Sequence, residues 1–156
     1  MKSRKIIAGV DEVGRGSLIG SVYSAAVILP DNGFSMELKD SKKLTEKSRI
    51  KIANRLIKES TSISIGIATK DEIDSINIHH ATLLSMRRAV YNLNIVPDLI
   101  LVDGIYRPEV EMDCECIVQG DSKVEQISAA SIIAKVSRDC EMDFLHDKYK
   151  MYNFKK

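Results

Sequence analysis

Short apolar runs alternate with amphipathic segments along this chain, and the pattern predicts a mixed β-sheet flanked by helices. Two apolar runs, 5–10 and 21–29, are separated by a glycine-rich turn and predict a hairpin-like pair of strands. Further strands are expected over 63–67, 99–102 and 114–118, and helices over 45–59, 73–93 and 123–149. The resulting order, β-β-α-β-α-β-β-α, is typical of an α/β fold.

The first two predicted helices have recognisable apolar faces. Thr45 can cap the first helix with its side-chain hydroxyl. The residues expected on the buried face of this helix are Ile50, Ala53, Leu56 and Ile57. The core candidates of the second helix include Ile73, Ile76, Leu83, Leu84 and Val90.

The composition fits one soluble globular domain spanning residues 1–156. Apolar residues make up 44% of the chain and charged residues 29%, which is ordinary for such a domain. No apolar run approaches the roughly 20 residues that cross a membrane. The N-terminus is basic, but Asp11 and Glu12 interrupt the apolar run behind it, which makes a poor signal peptide. We therefore expect a cytoplasmic protein with no membrane partner.

The three cysteines, Cys114, Cys116 and Cys140, predict free thiols rather than disulfides. Cys114 and Cys116 are two residues apart, so on a strand they would share one face. A zinc site is the alternative for this pair, but no second pair with finger-like spacing accompanies it in the sequence. We favour a structural interpretation of both residues.

A basic segment stands out against a nearly neutral chain. The chain carries a net charge of +1, whereas residues 39–58 contain eight lysines and arginines and only two acids. Such a segment beside an acidic site suits a nuclease, because one part can bind phosphate while the other binds metal. A solvated helix face is the alternative interpretation.

Two apolar strands of the expected sheet are followed by acidic residues. Asp11 and Glu12 follow the first strand, and Asp103 follows the strand over 99–102. If these strands are neighbours, their carboxylates meet at the end of the sheet where open α/β sheets bind ligands. Buried carboxylates are costly unless a cation meets them, and hard divalent cations prefer carboxylate oxygen. Three or four such acids can hold two Mg²⁺ or Mn²⁺ ions.

Each of these acids also has a competing explanation. Neighbouring side chains of a regular strand face opposite sides, so Asp11 and Glu12 reach one site only if the strand ends at or near Asp11. A single aspartate after a strand, such as Asp103, is often a turn residue. Asp121 precedes the last predicted helix, where it could cap that helix or join the carboxylate cluster.

The turn that follows Glu12 is suited to anion binding. Gly14 and Gly16 flank Arg15, so backbone N–H groups and one guanidinium can approach a phosphate or a sugar. A metal site next to a polyanion site indicates phosphodiester chemistry.

Several ordered segments of the chain resemble the ribonuclease HII family. These are GVDEVGRG at 9–16, KDSKKL at 39–44, INIHHATLL at 76–84, VDG at 102–104, GDSK at 120–123 and SAASIIAKVSRD at 128–139. They lie in the family's order and cover nearly the whole chain. The resemblance implies a ribonuclease H-like fold and an endonuclease that cleaves RNA in RNA–DNA hybrids, including single ribonucleotides embedded in duplex DNA.

The resemblance also implies a catalytic set of acids. Its members are Asp11, Glu12, Asp103 and Asp121, which would bind Mn²⁺ or Mg²⁺, with two ions during catalysis. Cleavage would leave a 3′-hydroxyl and a 5′-phosphate. Asp139 is a rival for the fourth acid, but the motif match favours Asp121, and we expect Asp139 to pair with a neighbouring basic group.

The expected substrate-binding residues lie in two other segments. By resemblance, Gly14, Arg15 and Gly16 would contact the ribose 2′-hydroxyl and its phosphate at the RNA–DNA junction, since the 2′-hydroxyl distinguishes RNA from DNA. Lys42 and Lys43 are candidates for binding backbone phosphates, with solvated lysines as an equal alternative.

The family pattern continues past residue 156 into a basic stretch and a C-terminal helical region. That stretch carries a tyrosine that stacks on the deoxyribose beside the scissile ribonucleotide. We therefore expect a catalytic domain without this helical region, acting as a monomer with weakened recognition of single-ribonucleotide junctions. A catalytically impaired protein that binds hybrids without cutting them is the alternative function, and a metal-dependent phosphatase is a third possibility.

Overall fold

The computed structural model describes residues 4–14, 20–38 and 43–148, with side chains described as far as residue 141. Within these ranges the strands are β1 (Ile7–Val13), β2 (Val22–Ile28), β3 (Ser62–Ala68), β4 (Leu99–Asp103) and β5 (Asp113–Ile117). The helices are α1 (Glu46–Glu59), α2 (Lys70–Tyr91), α3 (Gly120–Lys123) and α4 (Glu125–Lys148). None of the helices described has both the length and the apolar character required to span a bilayer.

The strands form one mixed sheet in the order β3-β2-β1-β4-β5. Strand β2 runs antiparallel to both of its neighbours, β1 and β3. Strand β4 lies between β1 and β5 and is parallel to both. The predicted α/β fold with a mixed sheet is therefore confirmed, and the two strands that precede acidic residues are direct neighbours.

Helices cover both faces of this sheet. Helices α1 and α4 pack on one face around buried apolar residues that include Ala25, Val27, Leu56, Ala130 and Ile133. Helix α2 packs on the opposite face around residues that include Val10, Ala26, Met86, Val90 and Val102. The two clusters account for the alternation along β2, where Ala25 and Ala26 belong to different cores.

Helix α4 lies directly against β1 at Gly9. A Cβ atom at this position would come within 2.2 Å of the backbone carbonyl carbon and oxygen of Gln126, and within 2.5 Å of the backbone nitrogen of Ile127. No side chain larger than hydrogen fits there without moving the helix. This contact sets how closely α4 approaches the acidic end of β1.

The buried face of α1 differs from the sequence prediction. Thr45 caps the helix as predicted, because its hydroxyl accepts the Ser48 backbone N–H at 3.1 Å. Its buried residues are Ile52, Ala53 and Leu56, whereas Ile50 and Ile57 are 44% and 60% exposed. The contacts with α4 and the sheet cover only a narrow stripe of α1, and these two isoleucines lie at its margins.

The other two predicted helices are interrupted. Helix α2 starts earlier than expected, at a capping box formed by Thr69 and Glu72, and Asn77 breaks its backbone with a φ of 71°. The Asn77 side-chain oxygen accepts the His80 backbone N–H at 3.0 Å and so caps the second part of the helix. The expected last helix is divided at Val124 into the single turn α3 and the long helix α4.

Candidate active site

An open cleft of about 390 Å³ lies at the end of the sheet where β4 stops. Its lining consists of Asp11, Glu12, Val13, Arg49, Asp103, Asp121, Ser131, Ile132 and Lys135. All four acids of the expected catalytic set are among these residues. They come from β1, β4 and α3, segments that are far apart in the sequence.

Asp11 and Asp103 occupy corresponding positions on adjacent parallel strands. The register pairs Gly9 with Leu101 and Val10 with Val102, so each aspartate lies one residue beyond the last pair. Residues paired across parallel strands share a face. Both carboxylates therefore lie on the face that α4 covers, and Asp11 is only 5% exposed.

Glu12 reaches the cleft from the opposite face. The expectation that β1 must end near Asp11 is wrong, because antiparallel pairing with β2 continues through Glu12 and Val13. Parallel pairing with β4, however, stops at Val10. Beyond this point β1 has an open edge, which brings Glu12 to the cleft even though the strand continues. Glu12 and Asp103 also line a second cavity on the α2 side.

Asp121 joins the acidic cluster through the short helix α3. Its preceding residue Gln119 has a left-handed backbone with a φ of 55°, and α4 begins only at Glu125. The Asp121 backbone N–H donates to Oδ1 of Asp103 at 3.4 Å. The Ser128 hydroxyl donates to the carbonyl oxygen of Asp121. Of the two interpretations that the sequence left open, the structure therefore supports membership of the cluster.

Burial and neighbouring negative charges both disfavour ionisation of Asp11 in the cleft. Burial raises the pKa of the Asp11 carboxyl well above its usual range, and the charges of Glu12 and Asp103 raise it further. The Glu12 backbone N–H donates to Oδ1 of Asp11 at 2.8 Å, which lowers the pKa but does not outweigh these effects. A cation in the cleft would reverse the balance, because opposite charge favours the ionised carboxyl.

The acids fit a divalent cation by their chemistry. Four carboxyl groups supply the oxygen ligands that Mg²⁺ and Mn²⁺ prefer, and burial gives Asp11 a carboxyl that is costly to ionise without a cation. In the part of the chain that the structure describes, no three acidic, histidine or cysteine side chains form a ready-made metal site.

Two basic residues line the same cleft. Arg49 of α1 and Lys135 of α4 are lining residues, and both pair with Asp139. The pairing of Asp139 with basic groups confirms the sequence expectation. Sequence reasoning missed the two cations as residues of the cleft. The available signals were the basic segment around Arg49, the family-like segment 128–139 that contains Lys135, and the four-residue spacing between Lys135 and Asp139.

Of the expected substrate-binding residues, the structure describes Gly14 and Lys43, and neither is on the cleft lining. Gly14 has a φ of 97°, and a Cβ atom there would lie 2.9 Å from Nε of the buried Arg138. Lys43 is exposed. Arg15, Gly16 and Lys42 lie outside the described residues.

Comparisons with known proteins agree on one family. The chain matches the family model of ribonuclease HII over residues 8–156. It is 54% identical over 150 residues to the ribonuclease HII of Hydrogenovibrio crunogenus, with 96% of this chain and 72% of that protein covered.

Solved structures give the same result for the fold. The crystal structure of ribonuclease H2 from Pyrococcus horikoshii has a TM-score of 0.82 and 32% identity, over 92% of this chain and 76% of that one. Bst-RNase HIII, crystallised in complex with Mn²⁺, has a TM-score of 0.81 at 20% identity, over 94% of this chain and 56% of that one, which indicates a shared fold.

Proposed function

The chain belongs to the ribonuclease HII family and is an endoribonuclease, and on this premise we propose a two-metal mechanism in which Asp11, Glu12, Asp103 and Asp121 hold the ions. Its substrates are RNA–DNA hybrids and duplex DNA that contains ribonucleotides. The products are a 3′-hydroxyl and a 5′-phosphate. Family membership does not favour the alternative of a protein that binds hybrids without cutting them.

One observation carries this proposal: four acids from three separate segments line a single cleft. A cluster of this kind without a cation is unfavourable, as the raised pKa of Asp11 indicates. We therefore expect the folded protein to bind a cation at this cluster of acids. The Mn²⁺ complex of Bst-RNase HIII, a protein with the same fold, supports the choice of metal.

Each acid has a distinct position in the mechanism. Asp11 and Asp103 hold the ions from the face covered by α4, and Glu12 approaches from the open edge of β1. Asp121 completes the set from α3, with its backbone N–H orienting the Asp103 carboxylate. When bound, divalent cations activate the attacking water and stabilise the negative charge on the leaving oxygen.

Substrate recognition rests on the turn after β1 and on lysines. Gly14, Arg15 and Gly16 read the 2′-hydroxyl at the RNA–DNA junction, and Lys42 and Lys43 bind backbone phosphates. We expect the protein to work in the cytoplasm as a monomer.

Hydrolysis of a labelled RNA–DNA hybrid with Mn²⁺ or Mg²⁺ tests the proposal. We expect turnover by the wild-type chain and a loss of at least about a hundredfold in Asp11→Asn and Asp103→Asn, because each change removes a metal ligand. Asp74→Asn is the matched control, since Asp74 is exposed and lies outside the cleft lining. Full activity in a folded Asp11→Asn or Asp103→Asn protein would exclude the mechanism.

A further inference from the structure

Three charged residues connect helices α1 and α4 beside the cleft. The Lys135 ammonium lies 2.8 Å from Oδ1 of Asp139, and Nη1 of Arg49 lies 3.9 Å from Oδ2 of the same carboxylate. The Arg49 Nη2 group also donates to the carbonyl oxygen of Leu44 at 3.1 Å. Asp139 therefore bridges two cations from different helices.

The arrangement gives the cleft a basic side as well as an acidic one. Arg49 and Lys135 line the cleft, whereas Asp139 is not among its lining residues. One carboxylate between two cations leaves a net positive charge on this side. Ser131, one turn before Lys135 on α4, lies in the same lining and adds a hydroxyl.

The chemistry of the two cations favours a phosphodiester as their ligand. An arginine presents several donors in a rigid fork that matches phosphate oxygens, and a lysine acts as a point charge. The contact of Arg49 with Asp139 is at the outer limit of an ion pair and well beyond the 2.7–2.9 Å of a charge-assisted hydrogen bond. The carbonyl oxygen of Leu44 therefore holds the guanidinium in place, while Asp139 does not form a close charge-assisted hydrogen bond with it.

We propose that Arg49 and Lys135 form a phosphate-binding pair for the nucleic-acid strand in the cleft, and that Asp139 is the positioning residue that sets their spacing. This inference rests on the proposed function, since it assumes that the polymer enters the cleft beside the four acids. It assigns substrate binding to two residues outside the Gly14–Arg15–Gly16 turn and the Lys42–Lys43 pair.

The helix α2 supplies a matched control for this proposal. Lys70 and Asp74 form the same four-residue ion pair as Lys135 and Asp139, with Nζ and Oδ2 3.6 Å apart. Neither residue lines the cleft. Comparing variants of the two pairs therefore distinguishes the effect of losing an ion pair on a helix surface from the effect of losing a cation in the cleft.

The first experiment measures binding of a fluorescein-labelled RNA–DNA hybrid in EDTA between 50 and 200 mM NaCl, by anisotropy. Each lost phosphate contact should make the slope of log Kd against log salt shallower by about 0.7–0.9. We expect this change in Arg49→Ala and in Lys135→Ala but not in Lys70→Ala. Arg49→Lys keeps the charge and should restore the slope. Slopes in both alanine variants that equal that of Lys70→Ala would overturn the proposal.

The second experiment measures steady-state cleavage with Mn²⁺. We expect KM to rise about fivefold or more in Arg49→Ala and Lys135→Ala, with a smaller change in kcat, because these residues bind the strand but lie apart from the acids. Asp139→Asn retains both cations but loses the carboxylate that sets their spacing, so we expect KM to rise, by less than in the alanine variants, without a shallower salt slope. If KM in Asp139→Asn equals that in Asp74→Asn, Asp139 has no positioning role.

The two experiments separate this inference from the proposed function. Absence of cleavage by the wild-type chain would reject the proposed function, while the salt slopes in EDTA would still report on the cation pair. Normal cleavage with unchanged slopes in both alanine variants would reject only the cation pair. Circular dichroism melting of every variant distinguishes lost contacts from lost folding.

Discussion

Replacing Gly9 with alanine should destabilise the fold and impair the cleft together, because β1 and α4 leave no room for a methyl group. The new Cβ would lie 2.2 Å from the carbonyl carbon and oxygen of Gln126. Ordinary contacts between non-bonded carbon atoms lie at about 3.5–4.0 Å. Helix α4 would therefore have to retreat by roughly 1.3 Å or more.

The clash at Gly9 cannot be relieved by rotating a side chain, since the nearest atoms belong to the backbone of α4. Overpacking of this kind costs about 1–3 kcal/mol. In a domain of this size, each kcal/mol lowers the melting temperature by roughly 2–4 °C. We therefore expect Gly9→Ala to melt roughly 2–12 °C below the wild-type protein.

The same displacement should reach the acids and the cations of the cleft. Helix α4 carries Lys135, and its Ser128 hydroxyl bonds the carbonyl oxygen of Asp121. A misplacement of about 1 Å can cost a hundredfold in rate. We expect kcat/KM on an RNA–DNA hybrid to fall about 10- to 100-fold in Gly9→Ala.

Gly33→Ala is the control for glycine replacement as such. Gly33 has a positive φ, of 88°, and no atom lies within 4 Å of its added Cβ. We expect a loss of about 1 kcal/mol from backbone strain and activity within about twofold of wild type. The reasoning about Gly9 would be refuted if thermal unfolding and initial rates showed Gly9→Ala to be as stable and as active as Gly33→Ala.

Three further predictions concern charge, thiol reactivity and the surface of α1. In metal-free protein, Asp11→Asn should raise the free energy of unfolding at pH 7, and the gain should shrink as the pH falls towards 4. Because the pKa of the buried carboxyl is raised, the folded state prefers the protonated acid, and ionisation destabilises the folded state as the pH rises. Urea denaturation at both pH values measures the two free energies of unfolding. Burial raises the pKa of the Cys114 thiol to about 11, so alkylation at pH 8, followed by mass spectrometry, should label the exposed Cys116 before Cys114. Leu56→Ala should cost about 2–5 kcal/mol, whereas the 60% exposed Ile57 should tolerate alanine with a loss below about 1 kcal/mol, as measured by urea denaturation.

The sequence predicted the meeting of Asp11 and Asp103 on the single condition that their two strands are neighbours. Each follows an apolar strand, and the carboxyl ends of neighbouring parallel strands share an edge. The structure supplies the missing fact that β1 and β4 are neighbours. The position of Glu12 was harder to predict, because it depends on where β1 stops pairing with β4. This pairing ends at Val10, one residue before Asp11.

Features that depend on packing between helices escaped the sequence argument. The pattern around α1 suggested Ile50 and Ile57 as core residues, but the area that α4 covers is narrower than the apolar stripe. The break at Asn77 was also invisible, since its left-handed backbone lies within a continuous helical pattern of apolar residues. Local propensity cannot report which side of a helix its neighbours will cover.

The same limitation applies to predicting which basic residues line the cleft, because this depends on the face of the sheet against which each residue lies. Arg88 and Lys70 of α2 pair with Glu72 and Asp74 on the opposite face of the sheet from α1 and α4. Arg49 instead lies on the face of the sheet that carries the Asp11 carboxylate, because α1 and α4 pack on it together. Acids alone would repel a phosphodiester, and cations alone would bind one without chemistry. Among the described residues, the side of α1 and α4 presents both acids and cations to the cleft, so under the proposed function a strand bound there would contact both.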